Sequence, residues 1–478
     1  MEKQIKNEAI TSRTQDFAQW YTDVCKKAEL MDYSSTKGFI IYRPYGYAIW
    51  EQIQKYLDLE FKETGHENVY MPMVISQSLF NKEKEHVEGF APETLVATLG
   101  GKEKLDDPLI IRPTSEVLFC EHYAKIVNSY RDLPKKYNQW CSVVRWEKTT
   151  RPFLRGAEFL WQEGHTVHET EQEARFETLQ MLKIYQDMGE QLLAIPFLTG
   201  KKTEKEKFAG AMETYAIEAL MHDGKSLQSG TSHYFGTGFA KAFGIQFQDR
   251  LNTLQPVHQT SWGVSTRLIG SLIMVHGDDN GLVLPPQVAP IQVIIVPIMQ
   301  QKPGVITAAK ALLDTLKASG IRATMDATDN SPGWKFAEAE MKGIPLRVEI
   351  GPRDLEQQQI VIVKRNDKVK KIIKFADLVS EAKGLMVIIQ QEMLLKAKEH
   401  LSMNIREVSS LDQLIETLNQ FGGYAKASVD DSEDVERIVK EKAQATARVI
   451  PFDQVGLQAR CAITGKPAKR IVYFARAY

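Results

Sequence analysis

Cysteine is scarce in this chain. Four residues in 478, Cys25, Cys120, Cys141 and Cys461, stand apart without paired spacing. That argues against a disulfide framework, leaves no legible zinc motif, and suits a reducing cytoplasm. Excess charge is missing as well: 60 Lys and Arg oppose 61 Asp and Glu, for a formal net charge of -1. Whole-chain electrostatics therefore give no sign of a polyanionic partner, and any such partner must be argued from local sites. No apolar run is long enough to span a bilayer, so no membrane partner is expected. The polar start "MEKQIKNEAITSRTQDFAQW" contains nothing like a signal-peptide core. Internal repeats and low-complexity segments are lacking too.

What remains is an ordinary globular composition, 43% hydrophobic and 25% charged. The length suits about three domains. Apolar residues Ile49, Ile53, Tyr56, Leu57 and Phe61 recur near a 3.6-residue period, which predicts a helix over 42–61 stopped by Gly65. "NVYMPMVIS" then reads as a strand, and Pro72 places it at a sheet edge or bulge. Strands outnumber helices between 105 and 285, apart from a helical run over 171–194, so a mostly antiparallel sheet is expected. "LPPQVAP" at 284–290 marks a linker. Beyond it strands and helices alternate as in a small α/β domain with a partly parallel sheet, followed from about 405 by a helix-rich tail. The expected division is 1–284, 285–404 and 405–478.

The chemistry is concentrated in "VVRWEKTTRPFLRGAEFLWQEGH" at 143–165. On a strand, alternate side chains share a face. Arg145 and Glu147 point together, as do Trp161, Glu163 and His165, while Arg151 and Arg155 follow in the turn. Guanidinium groups match phosphate bidentately, and an aromatic face with carboxylates suits a small cation. The pattern reads equally as a salt-bridged surface sheet or as a pocket. In "RPTSE", Thr114 and Glu116 can meet a carboxylate and an amine, while Ser115 reads as a helix cap. Arg267 sits among small residues in "SWGVSTRLIGS", and Gln228, Thr231 and His233 share a similar setting in "QSGTSHYFG". The acids of "GDDNG" read as an ordinary turn.

Taken together, "GHENVYMPMV", "VVRWE…RPFLRGAEF" and "GVSTRLIG" resemble the three ordered motifs of class II aminoacyl-tRNA synthetases. "KEKEHVEGFAPE", "RPTSE", "LWQEGH", "KTEKEKFAG", "GTSH" and "VHGDDNGLVLPP" narrow the resemblance to prolyl-tRNA synthetases. The ending "YFARAY" is similar to the archaeal and eukaryotic types. The resemblance implies an α+β catalytic domain built on an antiparallel sheet, then an α/β anticodon-binding domain and a small α+β C-terminal domain. It implies activation of L-proline by ATP with Mg²⁺, transfer to tRNA(Pro), and a homodimer.

By the same resemblance, Arg145 holds the α-phosphate and the proline carboxylate, and Arg267 the γ-phosphate. Glu147, Arg151 and Arg155 surround adenine and the outer phosphates, with Gln228 and Thr231 at the adenosine. Thr114, Glu116, Trp161, Glu163, His165 and His233 form the proline pocket, closed by the segment 86–90. Glu340, Arg347 and Asp354 read anticodon guanines. Two departures matter. Of four zinc-binding cysteines common in such relatives only Cys461 is present, and Thr464 occupies the position that completes Cys-x-x-Cys. No zinc is therefore expected, since one thiolate cannot make a tetrahedral site. Between the second and third motifs no room is left for an editing domain. The alternative, a non-catalytic synthetase-like tRNA-binding or regulatory paralogue, tends to lose one of the two motif arginines, and this chain keeps both.

Overall fold

The computed structural model describes residues 10–86 and 93–478. Its first part is built on a seven-stranded sheet of β1 (Glu67–Asn68), β2 (Lys135–Val144), β3 (Glu158–His168), β4 (Leu198–Lys201), β5 (Glu213–Leu220), β6 (Ser226–Gly236) and β7 (His258–Ser265), in the order β1-β2-β3-β7-β6-β5-β4. Every neighbouring pair is antiparallel except β1 with β2. No separate domain is inserted between β3 and β7; the interval is used up by this sheet, its helices and one small hairpin.

Four helices carry the main core: the N-terminal helix Phe17–Lys27, with Trp20, Tyr21, Val24 and Cys25 buried, and α1 (Pro44–Glu63), α2 (Glu171–Gln191) and α3 (Arg267–His276). Pro44 opens α1 where a missing N–H costs nothing, and Ile49, Ile53, Leu57 and Phe61 form its buried stripe. Gly65, at φ +81°, turns the chain out of the helix. Thr170 and Glu173 form a capping box that starts α2.

The reading of "NVYMPMVIS" as one strand is corrected. The chain leaves β1 at Asn68 and resumes pairing only over Val74–Ser76, in a different, three-stranded sheet with Val96–Gly100 and Glu103–Ile111. Pro72 lies in the gap, where it has no ladder bond to give.

A five-stranded sheet follows: β8 (Val293–Pro297), β9 (Ala323–Met325), β10 (Leu346–Ile350), β11 (Gln359–Lys364) and β12 (Lys370–Lys374), ordered β9-β8-β10-β11-β12. Its β9-β8-β10 half is parallel and the rest antiparallel. With it go α4 (Val305–Ala318), α5 (Pro332–Met341) and the long α6 (Leu378–Met403). Last come β13 (Ile405–Val408), α7 (Leu411–Gln420), β14 (Tyr424–Val429), α8 (Glu433–Ala443), β15 (Thr446–Val449) and β16 (Arg470–Ala475), with strand order β13-β14-β16-β15. Among the described residues no helix is long and apolar enough to cross a membrane.

The proline-rich stretch 284–290 is not a loose tether. Most of it is buried, and Arg322 donates from one nitrogen to the carbonyls of Pro286 and Gln287 at 3.0 and 2.9 Å. Just before it, Asp278 of the "GDDNG" turn accepts two 2.7 Å bonds from Arg365, at the end of β11. That turn thus clamps the first sheet's domain to the second. Long sequence separation hides such a pair from any local reading.

Candidate active site

Period-two alternation on the central strands separates two faces. One is committed to α2: Tyr185 donates to the Gln162 side chain at 2.7 Å, and the Ser232 hydroxyl donates to the Thr178 carbonyl at 2.7 Å. The opposite face lines a cavity of about 250 Å³. Trp161 and Glu163 come from β3, Gln228, Thr231 and His233 from β6, and Thr214 from β5, with Ser261, Gly263 and Ser265 of β7 between them. Register explains the space. Gly263 faces Glu163 on one side and Thr231 on the other, so the middle strand contributes no side chain there.

Arg145 and Arg267 stand within this cavity's wall. Arg145 continues the hairpin by donating its N–H to Ala157 at 2.8 Å, and its Nε is pinned on the Pro113 carbonyl at 3.0 Å. Its guanidinium lies 5.3 and 5.5 Å from the ring centres of Phe159 and Trp161. Arg267 opens α3 and donates to the carbonyls of Leu154 and Gln228, both at 3.1 Å. Burial, then the charges of Arg145 and Arg155, push its pKa down to about 10. Burial likewise lowers Arg145, opposed by Glu116, Glu163 and Glu147. Two desolvated, mutually repelling guanidinium groups are the arrangement that an arriving polyanion relieves.

The two acids divide their roles by environment. Burial works against the Glu163 carboxylate, but bonds from His165 at 3.0 Å, Ser115 Oγ at 2.5 Å and Gln139 at 2.6 Å hold its pKa below the usual range. Among the described residues the Thr114 hydroxyl is the one side-chain donor to Glu116, and burial and then the Glu163 charge raise its pKa against the pull of His165. Glu163 is thus saturated with donors and fixed, whereas Glu116 is the less satisfied carboxylate on the cavity wall. His233 is kept neutral, its pKa pushed by burial to about 3, and its Nδ1 meets the Thr214 hydroxyl at 2.9 Å.

Of the residues expected from sequence, Thr114, Glu116, Arg145, Trp161, Glu163, Gln228, Thr231, His233 and Arg267 come together here. His165 does not line the cavity; it stacks on Phe119 with centroids 4.2 Å apart and supports Glu163 from behind. Arg151 and Arg155 line an adjoining cavity of about 330 Å³ with Tyr42 and Glu158, sharing Phe159 with the first. Glu147 lines neither and lies half-buried past the end of β2. The reading of Ser115 as a side-chain cap is corrected: it stands at the N-cap position of its helix without a capping bond, because its hydroxyl is spent on Glu163. Sequence reasoning missed Gln139, Phe159 and Phe208. Gln139 is the cross-strand partner of Glu163, a signal that exists only once the register is known.

In the second domain, Arg347 is buried against the Phe336 ring, 4.0 Å from its centre, and paired with Glu349 at 2.9 Å and Glu340 at 3.5 Å. Asp354 instead caps the Gly351 N–H at 2.8 Å. In the third, Cys461 Sγ accepts from the N–H groups of Ile463 and Thr464, both at 3.4 Å, and the Thr464 hydroxyl bonds Asp430. The Tyr478 hydroxyl donates to Asp223 at 2.5 Å, and Arg151 lies 5.6 Å from its ring centre, so the chain's end is tied to the catalytic domain.

Residues 99–276 match the family "tRNA synthetase class II core domain (G, H, P, S and T)", residues 292–385 "Anticodon binding domain", and residues 411–478 "Prolyl-tRNA synthetase, C-terminal". A proline–tRNA ligase of Ruminiclostridium cellulolyticum is 58% identical over 471 residues, covering 98% of each chain. The chain belongs to the prolyl-tRNA synthetase family. Another relative, "Proline--tRNA ligase 2" of Bacillus cereus, is 56% identical over 98% of this chain and 99% of its own. A crystal structure of the Cryptosporidium parvum prolyl-tRNA synthetase, complexed with halofuginone and AMPPNP, superimposes with a TM-score of 0.94 at 39% identity, over 98% of this chain and 99% of that one. The prolyl-tRNA synthetase has the class II catalytic fold that its motifs imply, and its reaction is the ligation of proline to tRNA, driven by ATP.

Proposed function

We propose that the cavity on β3, β7, β6 and β5 activates proline, with each side chain in a stated role. The observation that carries this reading is a pair of half-buried arginines in one cavity wall with the buried Glu116 carboxylate. Glu116, with Thr114, takes the secondary ammonium of proline, which offers two donors. Trp161 and His233 wall its ring, and Glu163, held by His165, Ser115 and Gln139, completes the polar wall beside them. Arg145 neutralises both the attacking carboxylate and the α-phosphate. As one carboxylate oxygen bonds to phosphorus, the bond to the β-phosphate oxygen breaks and pyrophosphate leaves. Arg267 takes the outer phosphate, Gln228 and Thr231 the adenosine side, and Arg151 and Arg155 close on the nucleotide from the adjoining cavity, with Glu147 reaching the adenine from beyond the end of β2. Catalysis here is positioning and charge neutralisation, with no protein nucleophile. The pocket-closing role of 86–90 concerns a segment outside the described residues.

ATP is expected as its Mg²⁺ complex. Among the described residues no group of three His, Cys, Asp or Glu could hold a metal alone. Gln228 and Thr231 do offer hard oxygen atoms on the cavity wall, which fits an ion held mainly by phosphate and water. When bound, it supplies further neutralisation of phosphate charge.

Amino-acid-dependent ATP–pyrophosphate exchange over all twenty amino acids, without tRNA, tests the reading. Strong exchange with proline and a trace with alanine is the expected result, because a missing methylene is worth only about 1–3 kcal/mol to a pocket. No exchange with any amino acid would reject it in favour of the non-catalytic paralogue. Domain limits of 1–284, 285–404 and 405–478 accompany this proposal.

We also propose that Arg347, Glu340 and Asp354 serve the anticodon. Arg347 and Glu340 already form a polar edge that an unstacked guanine could share. Arg347→Ala is expected to lower tRNA(Pro) charging kcat/KM by at least about tenfold while exchange stays at the parent level. Equal charging by the variant would reject the role. For Cys461 the expectation is no zinc: the thiol already accepts two N–H groups, and Asp430 with Thr464 closes the knuckle. Metal analysis should find well under one zinc per chain. A homodimer is proposed across the edge at β1, where Leu59, Tyr70 and Met73 are exposed; a monomeric mass by light scattering would reject it.

A further inference from the structure

Beneath the nucleotide side of the cavity lies a buried charge cluster that joins the first domain to the third. Glu218, on β5, is completely buried; Lys202 and Arg448 are 2% and 7% exposed. Lys202 donates to Glu218 Oε1 at 2.7 Å, and the Ser226 hydroxyl to Oε2 at 2.7 Å. Arg448, on β15, is 230 residues away in sequence. It donates from Nη2 to Oε1 at 3.0 Å and to Oε2 at 2.9 Å, and from Nε to Oε2 at 3.2 Å. Tyr424, on β14 of the same domain, adds a 2.8 Å bond to the Ser226 hydroxyl.

Two short routes lead from this cluster to the cavity. Glu218 is the direct cross-strand partner of Gln228, at a register shift between Ile217 and Glu218. The Gln228 carbonyl in turn receives the Arg267 guanidinium at 3.1 Å. On the other side, Lys202 begins the segment that carries Glu206 and Phe208 into the cavity wall. That segment is pinned by Lys202 N–H to the Thr214 carbonyl at 2.7 Å and by Phe208 N–H to the Thr214 hydroxyl at 3.0 Å. The bulge leaves Ser229 out of the ladder beside Gln228, so fewer backbone bonds hold the pairing there, and a buried carboxylate stripped of part of its ion pairing is driven to find water. The bidentate arginine braces the strand at that point.

We propose that Arg448 is a positioning residue for ATP: through Glu218 it fixes the β5–β6 pair that presents Gln228, whose carbonyl holds the Arg267 guanidinium of α3, so the C-terminal domain completes the nucleotide site. The inference rests on the nucleotide roles of Gln228 and Arg267 proposed above. It gives the C-terminal domain a catalytic reason to be docked that does not depend on zinc. The carboxylate end of the proline pocket is anchored separately, through Ser115, Gln139 and His165 on Glu163; the Lys202 route reaches the proline wall at Thr214 and His233, but Arg448 does not bond Lys202.

The experiment measures ATP–pyrophosphate exchange in the full-length enzyme, varying ATP and proline separately, for Arg448→Ala, Arg448→Lys and, in parallel, Arg267→Ala. Arg448→Ala is expected to raise KM for ATP about tenfold with KM for proline within about twofold. Arg448→Lys, keeping the charge but losing the fork, is expected to rise about threefold. A purely structural residue would lower the active fraction, and so kcat, with both KM values unchanged; that result overturns the inference. If Arg448→Ala does not fold, Arg448→Lys decides alone, and a parental KM for ATP overturns it. An effect in Arg267→Ala with none in the Arg448 variants rejects only the positioning role. No effect in Arg267→Ala rejects the nucleotide-site reading and this inference with it.

Discussion

Replacement of Arg145 by alanine is expected to lower the rate of prolyl-adenylate formation by about a thousandfold or more, the scale on which a charge-stabilising donor at a reacting phosphate acts. Both reactants are anionic, and Arg145 shares one cavity with Glu116, Trp161 and Arg267, its guanidinium 5.5 Å from the Trp161 ring centre. Its position is held from three sides, by the Pro113 carbonyl and the rings of Phe159 and Trp161. The variant leaves those neighbours in place, so the loss should fall on the chemical step more than on folding. Lysine should not rescue it, because a point charge cannot bridge two acceptors as a fork does. Rapid quench under single-turnover conditions measures the step directly. A rate within about tenfold of the parent would reject the role, since positioning groups of this kind are worth more.

The second large effect belongs to Glu116. Glu116→Gln keeps the shape and removes the charge proposed to meet the proline ammonium. Loss of a charge-assisted bond in a buried site is worth about 1.5–3 kcal/mol, so KM for proline should rise by about ten- to a hundredfold with little change in KM for ATP. The pH dependence identifies the group. Burial and the Glu163 charge raise the Glu116 pKa, and only the ionised form can accept the ammonium. Affinity for proline is therefore complete above that raised pKa and is lost as pH falls through it, at a pH above where an ordinary glutamate would titrate. Proline binding should release a proton in that window. In Glu116→Gln this acid limb of the kcat/KM profile for proline should vanish. Persistence of the limb would assign it to another group and reject Glu116 as the ammonium partner.

A zinc-free C-terminal domain, an anticodon role for Arg347 and a nucleotide role for Arg448 extend these expectations into the other two domains. They are separable in the tube: Arg347 should affect charging alone, whereas Arg448 should affect exchange through ATP.

Much of this protein was determined by the sequence taken by itself, and the reason is that the signals were local. The stripe of α1 follows from residues three and four apart; alternation in 158–168 puts Trp161 and Glu163 on one face; the ordered motifs carry the family. Guanidinium and carboxylate side chains set among aromatic residues were visible in the same way, but that pattern left a surface sheet and a pocket equally open, and the assigned roles come from the resemblance. The tertiary structure alone decided which groups became partners. Gln139 meets Glu163 because β2 and β3 pair in one register, and a slip by one residue would turn it to the other face. Ser115 gave up capping because Glu163 was close enough to take its hydroxyl. Pro72 ended a strand that hydropathy would have continued. Asp278 found Arg365, and Glu218 found Arg448, across gaps of 87 and 230 residues. No pattern along the chain encodes such pairs. They form because a buried charge must be matched within hydrogen-bonding distance, and only the folded packing of three domains determines which group is there to match it.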